Sequence, residues 1–479
     1  MLGIRPFRMF RGCHAQRGTR GASTRVSRMR SASNPLTRGQ IARYATGSLG
    51  TGGFATLPGL VLVYYLTDSL GVTALAAGAI VTGAKVWDVL IDPVIGGISD
   101  TALARVGSRR GLMLIRAIGL PIAFTLTFAV PAGIGPLASA IWVLIAFMLA
   151  ATCFSLFQVP YIALPAELTD DYRERTRLLT WRVVMLTVAI LLFGAGGPEI
   201  RGMFPDDPLL GYLVMAAVAA VLLGVGMFVA STVAPDRPPL PVRPGASIAT
   251  HYRDGVVALR ESQPFRVLLG TFMLQGLATG LMLAAAQFVA RWVLGDEGAV
   301  TPLFLALIAP ALLMAPVWKI VADRVGKERA FRLASAVFLV ATAVLGLMVW
   351  MPGWWILAPV ALAGAAYAGM QTLPMAMLPD VIAHDRTAGG GDNRSGVFSG
   401  VWTAGETTGM ALGATVLSIV LAATGYIETT AEVEVAQPAA AISGIAVAFS
   451  LLPAALMLAS LVVLARYRLR EHDIVGTSA

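Results

Sequence analysis

Apolar positions along this chain gather into twelve long runs, and the segments between them hold most of the charge. The runs lie at 42–66, 74–98, 112–132, 138–163, 178–197, 209–232, 265–290, 300–322, 330–350, 354–379, 395–424 and 441–466. A helix needs about 20 predominantly apolar residues to cross a bilayer. The pattern therefore predicts an all-α integral membrane fold of twelve transmembrane helices. The longest polar interruption, residues 231–265, divides them six and six. Its Pro235, Pro238, Pro239, Pro241 and Pro244 cannot continue a helix and predict an extended linker. A surface helix is expected over 248–261. The expected organisation is an Arg-rich disordered tail at 1–40, a six-helix bundle at 41–233, a cytoplasmic linker at 234–264, a second six-helix bundle at 265–467 and a tail at 468–479.

Loop charge orients the helices. Lys and Arg crowd the N-terminal tail, the linker, the C-terminal Arg466, Arg468 and Arg470, and the loops of Arg105–Arg109–Arg110, Arg173–Arg175–Arg177, Arg324–Lys327–Arg329–Arg332 and Arg386–Arg394. The alternate loops hold almost none, Arg201 and Arg291 being the exceptions. The positive-inside rule then puts both termini in the cytoplasm and the acidic loop 426–439 outside, in an inner or plasma membrane.

Composition agrees with the pattern. Of 479 residues, 57% are hydrophobic and 13% charged, and the mean hydropathy is +0.74. Soluble chains carry about 25% charged residues. The net charge of +9 belongs to the first forty residues, which hold nine Arg and no Asp or Glu and leave the remainder neutral. The basicity therefore says nothing of a nucleic-acid-binding body, and no nucleic-acid partner is expected. A transit peptide, a disordered tail and an over-extended start preceding Met29 all fit the tail. Cys13 and Cys153 offer neither a disulfide framework nor a CxxC metal site. His14, His251, His384 and His472 lie in the tail, linker and loops without HExxH spacing, and there is no P-loop or GxSxG elbow. The expected protein is a monomer in the bilayer, not an enzyme, with no cofactor or metal centre of its own.

The sharpest departure from the apolar pattern is residues 81–111, VTGAKVWDVLIDPVIGGISDTALARVGSRRG. Lys85, Asp88 and Asp92 share one helical face. Each charge costs about 2.5–3.5 kcal/mol at a helix centre, and each flanking Val, Ile or Leu returns only about 0.3–0.6. Such a trio requires a partner, water or an ion. Two carboxylates four residues apart repel, and an alkali cation or a proton relieves that repulsion. A permanent Lys85–Asp88 ion pair, with Asp92 satisfied elsewhere, is the alternative. The stretch GGISDTALARVGSRRG after the second run is echoed by VWKIVADRVGKERAFR after the eighth. Each has an Asp, then a Gly, then basic residues, which predicts gating latches at Asp100, Arg109, Arg110, Asp323 and Arg324. Glu406 is an isolated acid in mid-span, where the default is a cavity-facing role: toward a substrate amine, a proton, or a salt bridge to Arg182 or Lys319. Tyr64, Gln158, Tyr161, Gln275, Gln287, Gln371 and Trp402 are candidates for the cavity or, equally, for helix packing.

KVWDVLIDPVIGGISD resembles the second-helix signature of the glycoside–pentoside–hexuronide:cation symporters, the melibiose-permease branch of the major facilitator superfamily. VPYIALPAELTDDYRERTRLLTWR at 159–182 and MLPDVIAHDRTAGGGDNRSGVFSG at 377–400 are similar to two further blocks of that family. The resemblance implies two pseudo-symmetric six-helix bundles with a midplane site. It also implies alternating-access transport coupled to Na⁺, Li⁺ or H⁺, with Asp88 and Asp92 holding the cation and Lys85 and Arg182 as charge partners. Arg182 matches a family arginine, to be read either as a substrate contact or as a partner of a helix-two carboxylate. Departures concern the cargo. The family's helix-one acid has no counterpart in Leu49–Gly53, its helix-four acid is Val159, an Asn between the aspartates is Ile91, and the helix-eleven Lys gives way to Glu406 and Thr407. The expected cargo is a small polar solute such as a sugar or glycoside. Lysolipid-like amphipaths, a drug-type H⁺ antiport and a transport-dead sensor are the alternatives.

Overall fold

A computed structural model describes residues 36–169, 171–236, 257, 259–388, 395–430 and 435–469. Among them are twelve helices long and apolar enough to cross a membrane. They are α1 (Arg38–Tyr64), α2 (Ala74–Val106), α3 (Arg110–Phe128), α4 (Pro136–Leu168), α5 (Tyr172–Gly202), α6 (Pro208–Ser231), α7 (Gln263–Phe288), α8 (Val300–Val325), α9 (Lys327–Leu345), α10 (Leu357–Ala388), α11 (Ser395–Ala423) and α12, broken at Ser450 into Ala439–Phe449 and Leu451–Leu464. Every apolar run becomes a helix. Several helices extend past the apolar run, α2, α4 and α10 chiefly at one end and α5 at both. There amphipathic turns continue the backbone ladder beyond the hydrocarbon. The tail, most of the linker and nearly all of the expected surface helix lie outside the described residues.

Local chemistry sets the ends. Thr37 and Gln40 form a capping box at α1, and Asp171 accepts from the Arg173 and Glu174 amides to start α5. Asp207 caps α6 ahead of Pro208 at the first helical position. Gly107, at φ +77°, ends α2 in the left-handed conformation that other residues disfavour. Both α1 and α7 finish in a π-helical turn, Tyr65–Ser69 and Val289–Val293.

The packing is the same in each half. In the first, α1 packs on α5 and α6, and α4 on α2 and α3, with α3 on α6; in the second, α7 packs on α11 and α12, and α10 on α8 and α9, with α9 on α12. That correspondence turns the echo between the second and eighth runs into a structural repeat. Within the second half, α7 and α11 meet backbone to backbone. A Cβ added at Gly280 would run into the Met410 backbone, and one added at Gly413 into Gly280. Gly280→Val is accordingly expected to destabilise the bundle by at least about 1–3 kcal/mol, read as a lower melting temperature of the detergent-solubilised protein. An unchanged value would show that the two helices can separate at little cost.

The halves join through α2 with α11, α5 with α8 and α1 with α7. The described contacts sit at the end where α1 finishes. Thr82 meets Thr415 and the Ala411 carbonyl, Gly78 lies under Ser418, and Gly194 under Phe304. Toward the other end, Cβ atoms added at Gly96 and Gly97 of α2 or Gly400 of α11 would meet nothing within 4 Å. The molecule is clasped at one end and parted at the other.

Candidate functional site

The α2 charges sit midway along the cleft. Lys85 Nζ lies 3.4 Å from Asp88 Oδ2 and over the Phe54 ring at 5.1 Å. Asp88 is buried, and neither Asp88 Oδ1 nor Asp92 Oδ1 has a hydrogen-bond partner. Ser155 of α4 is the hydroxyl beside both carboxylates. The Lys85–Asp88 pair is therefore present, but it leaves one oxygen on each aspartate unsatisfied and one net negative charge on the trio. One monovalent cation or one proton balances that charge. No cluster of three or more His, Cys, Asp or Glu able to hold a metal occurs among the described residues.

The other polar candidates divide. The Arg182 guanidinium lies 5.4 Å from the Tyr161 ring, with Nε buried and unpartnered. Gln158 accepts a 2.8 Å bond from Thr51. Across the cleft, Glu406 shares a small pocket with Thr279, Tyr367 and Gln371, the last donating to the Tyr367 hydroxyl at 2.5 Å. No ion pair among the described residues joins Arg182 to an α2 carboxylate, or Glu406 to Arg182 or Lys319, so those pairings are set aside. Gln275 is helix glue: its amide nitrogen donates to Ser335 of α9 at 2.8 Å and approaches Ser460 of α12 at 3.4 Å. Tyr161 and Trp402 are packing residues, stacked on Tyr44 and Phe272 respectively.

Tyr64 belongs instead to the clasp. It donates to Glu297 Oε1 at 3.1 Å, and Glu297 also takes Arg201 at 3.0 Å and Arg291 at 2.8 Å. Arg201 is buried, donates to Tyr212 at 3.0 Å, and lies within 2.9 Å of the Gln287 amide oxygen once that amide is turned to suit it. Beside it, Tyr426 donates to Asp68 and accepts from Trp292 Nε1 at 2.9 Å. Burial and then the Asp68 carboxylate push the Tyr426 phenol well above its ordinary pKa, so it stays a donor. Asp68, Arg291 and Trp292 all stand on the two π turns; Asp68 reaches across to Tyr426 of the other half, while Arg291 and Trp292 hold Glu297 and Tyr426 in place on their own side. A cavity of about 800 Å³ opens beside the clasp. The sequence does hold a signal for this network. Arg201 and Arg291 are the two basic residues in loops otherwise without them, and they converge on one glutamate.

At the parted end the expected latches differ from the structure. Arg109 binds Glu167 of α4 at 2.6 Å and also Ser99, and Lys327 binds Asp380 of α10 at 2.6 Å. These are repeat-related contacts, from the start of a third helix to the end of a fourth, and each closes within one half. Arg110, Asp323 and Arg324 form no ion pair among the described residues. The Asp100 side chain lies outside them. Because Arg109 and Glu167 are both about 90% shielded, Arg109→Gln removes the buried carboxylate's guanidinium partner at a cost of up to about 3–5 kcal/mol. Thermal unfolding of the variant should show that loss, and Glu167→Gln added to Arg109→Gln should recover part of it. An unchanged melting temperature in the single variant would mean that the pair is not structural.

A family model described as MFS/sugar transport protein matches residues 43–471. The chain is 25% identical over 442 residues to the glucuronide carrier protein homolog of Escherichia coli K12, covering 90% of this chain and 92% of that one. It is 26% identical over 356 residues to the human sodium-dependent lysophosphatidylcholine symporter 1, covering 67% and 63%. Among solved structures, the D-xylose-proton symporter superposes with a TM-score of 0.61 at 14% identity, covering 89% of this chain and 97% of that one.

Proposed function

The chain belongs to the MFS/sugar transport protein family, the glycoside–pentoside–hexuronide branch of the major facilitator superfamily, and on that premise we propose that it is a symporter coupled to Na⁺ or H⁺. The observation that carries the coupling is the pair of buried, unpartnered carboxylate oxygens on Asp88 and Asp92. An uncompensated charge on an apolar face resists being closed away from water by several kcal/mol. Cation binding removes that charge, so the loaded form occludes more readily than the empty one and the halves rock around a fixed site. With the basic loops facing the cytoplasm, the clasp faces outward and the conformation described is open inward.

A small polar solute such as a sugar or glycoside is the cargo this reading favours. The bacterial relative's name supports it, as do the amide and hydroxyl groups of Gln158, Thr51, Gln371 and Tyr367 on the two walls. A second reading, transport of lysolipid-like amphipaths, draws on the human relative's name and on the apolar Ile91 and Val159. Proteoliposomes loaded with Na⁺ or H⁺ gradients and offered labelled methyl glucoside or lysophosphatidylcholine distinguish them. The expected result is accumulation of the glucoside above equilibrium only under a gradient. Transfer of the lysolipid alone would favour the second reading. Accumulation independent of every gradient would remove the coupling.

A further inference from the structure

Arg182 and Glu406 occupy related places in the two halves. Arg182 lies on α5, the fifth helix of its half, on the stripe continued by Leu186, Ala189 and Phe193 against α1. Glu406 lies on α11, the fifth helix of the other half, beside the glycines at 405, 409 and 413 that press on α7. The fourth helix of each half supplies an aromatic neighbour, Tyr161 on α4 for the arginine and Tyr367 on α10 for the glutamate. Arg182 stands ten residues into its helix and Glu406 eleven, both about 15 Å from the parted end at 1.5 Å per residue. Opposite walls of the cleft therefore present opposite charges at one depth.

Neither charge is neutralised by the protein. Among the described residues no ion pair includes either side chain, and Arg182 Nε is buried without a hydrogen-bond partner. The α2 trio does not answer for them, since its single surplus negative charge is balanced by the coupling cation. Two isolated opposite charges on apolar helices are costly to keep unless a ligand joins them.

We propose that the cleft selects zwitterionic solutes, with an anionic group of the solute meeting Arg182 and its ammonium group meeting Glu406. The inference rests on the transporter reading above and specifies its cargo. A neutral sugar leaves both protein charges unpaired when the halves close, so it is carried at lower affinity. A solute bearing one charge satisfies one wall and strands the other. A zwitterion satisfies both and adds no net charge, so the count of coupling cations is unchanged.

Four sugars that differ only in charged groups test this at mildly acidic pH: 2-amino-2-deoxyglucuronic acid, which carries one carboxylate and one ammonium group, glucosamine, glucuronic acid and methyl glucoside. Their binding to the purified full-length protein is measured by quenching of intrinsic Trp fluorescence. The aminoglucuronic acid should bind at least tenfold more tightly than either singly charged sugar, with methyl glucoside weakest. Arg182→Gln should erase the zwitterion's advantage over glucosamine, and Glu406→Gln should erase its advantage over glucuronic acid. Methyl glucoside binding as well as the zwitterion, an unaltered ranking in both variants, or no binding of the aminoglucuronic acid would each overturn the proposal, and the wild-type ranking decides even where a variant fails to fold. Stabilisation of the same samples by Na⁺, Li⁺ or protons is read in parallel. Its persistence alongside a failed ranking refutes the zwitterion alone, and its absence refutes the coupling reading.

Discussion

Asp92→Asn is expected to reduce gradient-driven accumulation to background while leaving substrate exchange across the membrane measurable. The variant keeps the Lys85–Asp88 pair, 3.4 Å apart, and that pair is electrically neutral by itself. With no surplus negative charge, a cation gains nothing by entering, and its affinity should fall at least about a hundredfold, or about 2.7 kcal/mol. The halves can still close over a neutral face, so the carrier becomes a uniporter rather than an unfolded protein. Counterflow in proteoliposomes separates these outcomes. Retained counterflow with lost accumulation is the expected pattern, and undiminished accumulation would remove Asp92 from the coupling. Lys85→Gln acts in the opposite sense: it raises the surplus to two negative charges and should strengthen cation binding.

Glu297→Gln is expected to produce the largest conformational effect. Among the described residues Glu297 is the carboxylate bound by both Arg201 and Arg291, and Arg201 comes from one half while Arg291 and Glu297 come from the other. Neutralising it leaves the buried Arg201 guanidinium near Arg291 without the negative charge between them. The equilibrium should shift toward the conformation in which this end opens. A cysteine placed at Thr301, whose hydroxyl approaches the Ala195 carbonyl of the opposite half, reports the change in a background lacking Cys13 and Cys153. Its modification by a membrane-impermeant maleimide should accelerate at least about tenfold, equivalent to about 1.4 kcal/mol of population shift. An unchanged rate would mean that the apolar contacts, such as Phe304 over Gly194, hold the clasp without the charges.

These two predictions rest on features that the sequence discloses to different degrees. Asp88 and Asp92 are visible in one dimension because their cost is local: two acids on one turn of an otherwise apolar helix need an explanation whatever surrounds them. The halves are visible too, since the Pro-rich break at 231–265 and the repeated Asp–Gly–basic ends survive without any knowledge of packing. Glu297 is different. It lies 96 positions from Arg201, at a helix start where an acid is unremarkable, and only the fold brings them together. Tyr64, Gln275 and Trp402 show the same limit. Helical periodicity gives each residue a face, but not whether that face meets the cleft, the clasp or a neighbouring helix of the same half. The latches illustrate the intermediate case: the sequence marks Arg109 and a basic cluster around Lys327 at equivalent helix ends, whereas their partners, Glu167 and Asp380, come from the fourth helix of the same half.

A charge count of the α2 site tests the account most directly. Purified protein is titrated with ²²Na⁺, and proton release or uptake is followed on the same samples. The account predicts one monovalent cation or one proton bound per chain, saturably, and none in Asp92→Asn. Zero binding of both in the wild-type protein, or the same stoichiometry in Asp92→Asn, would contradict it.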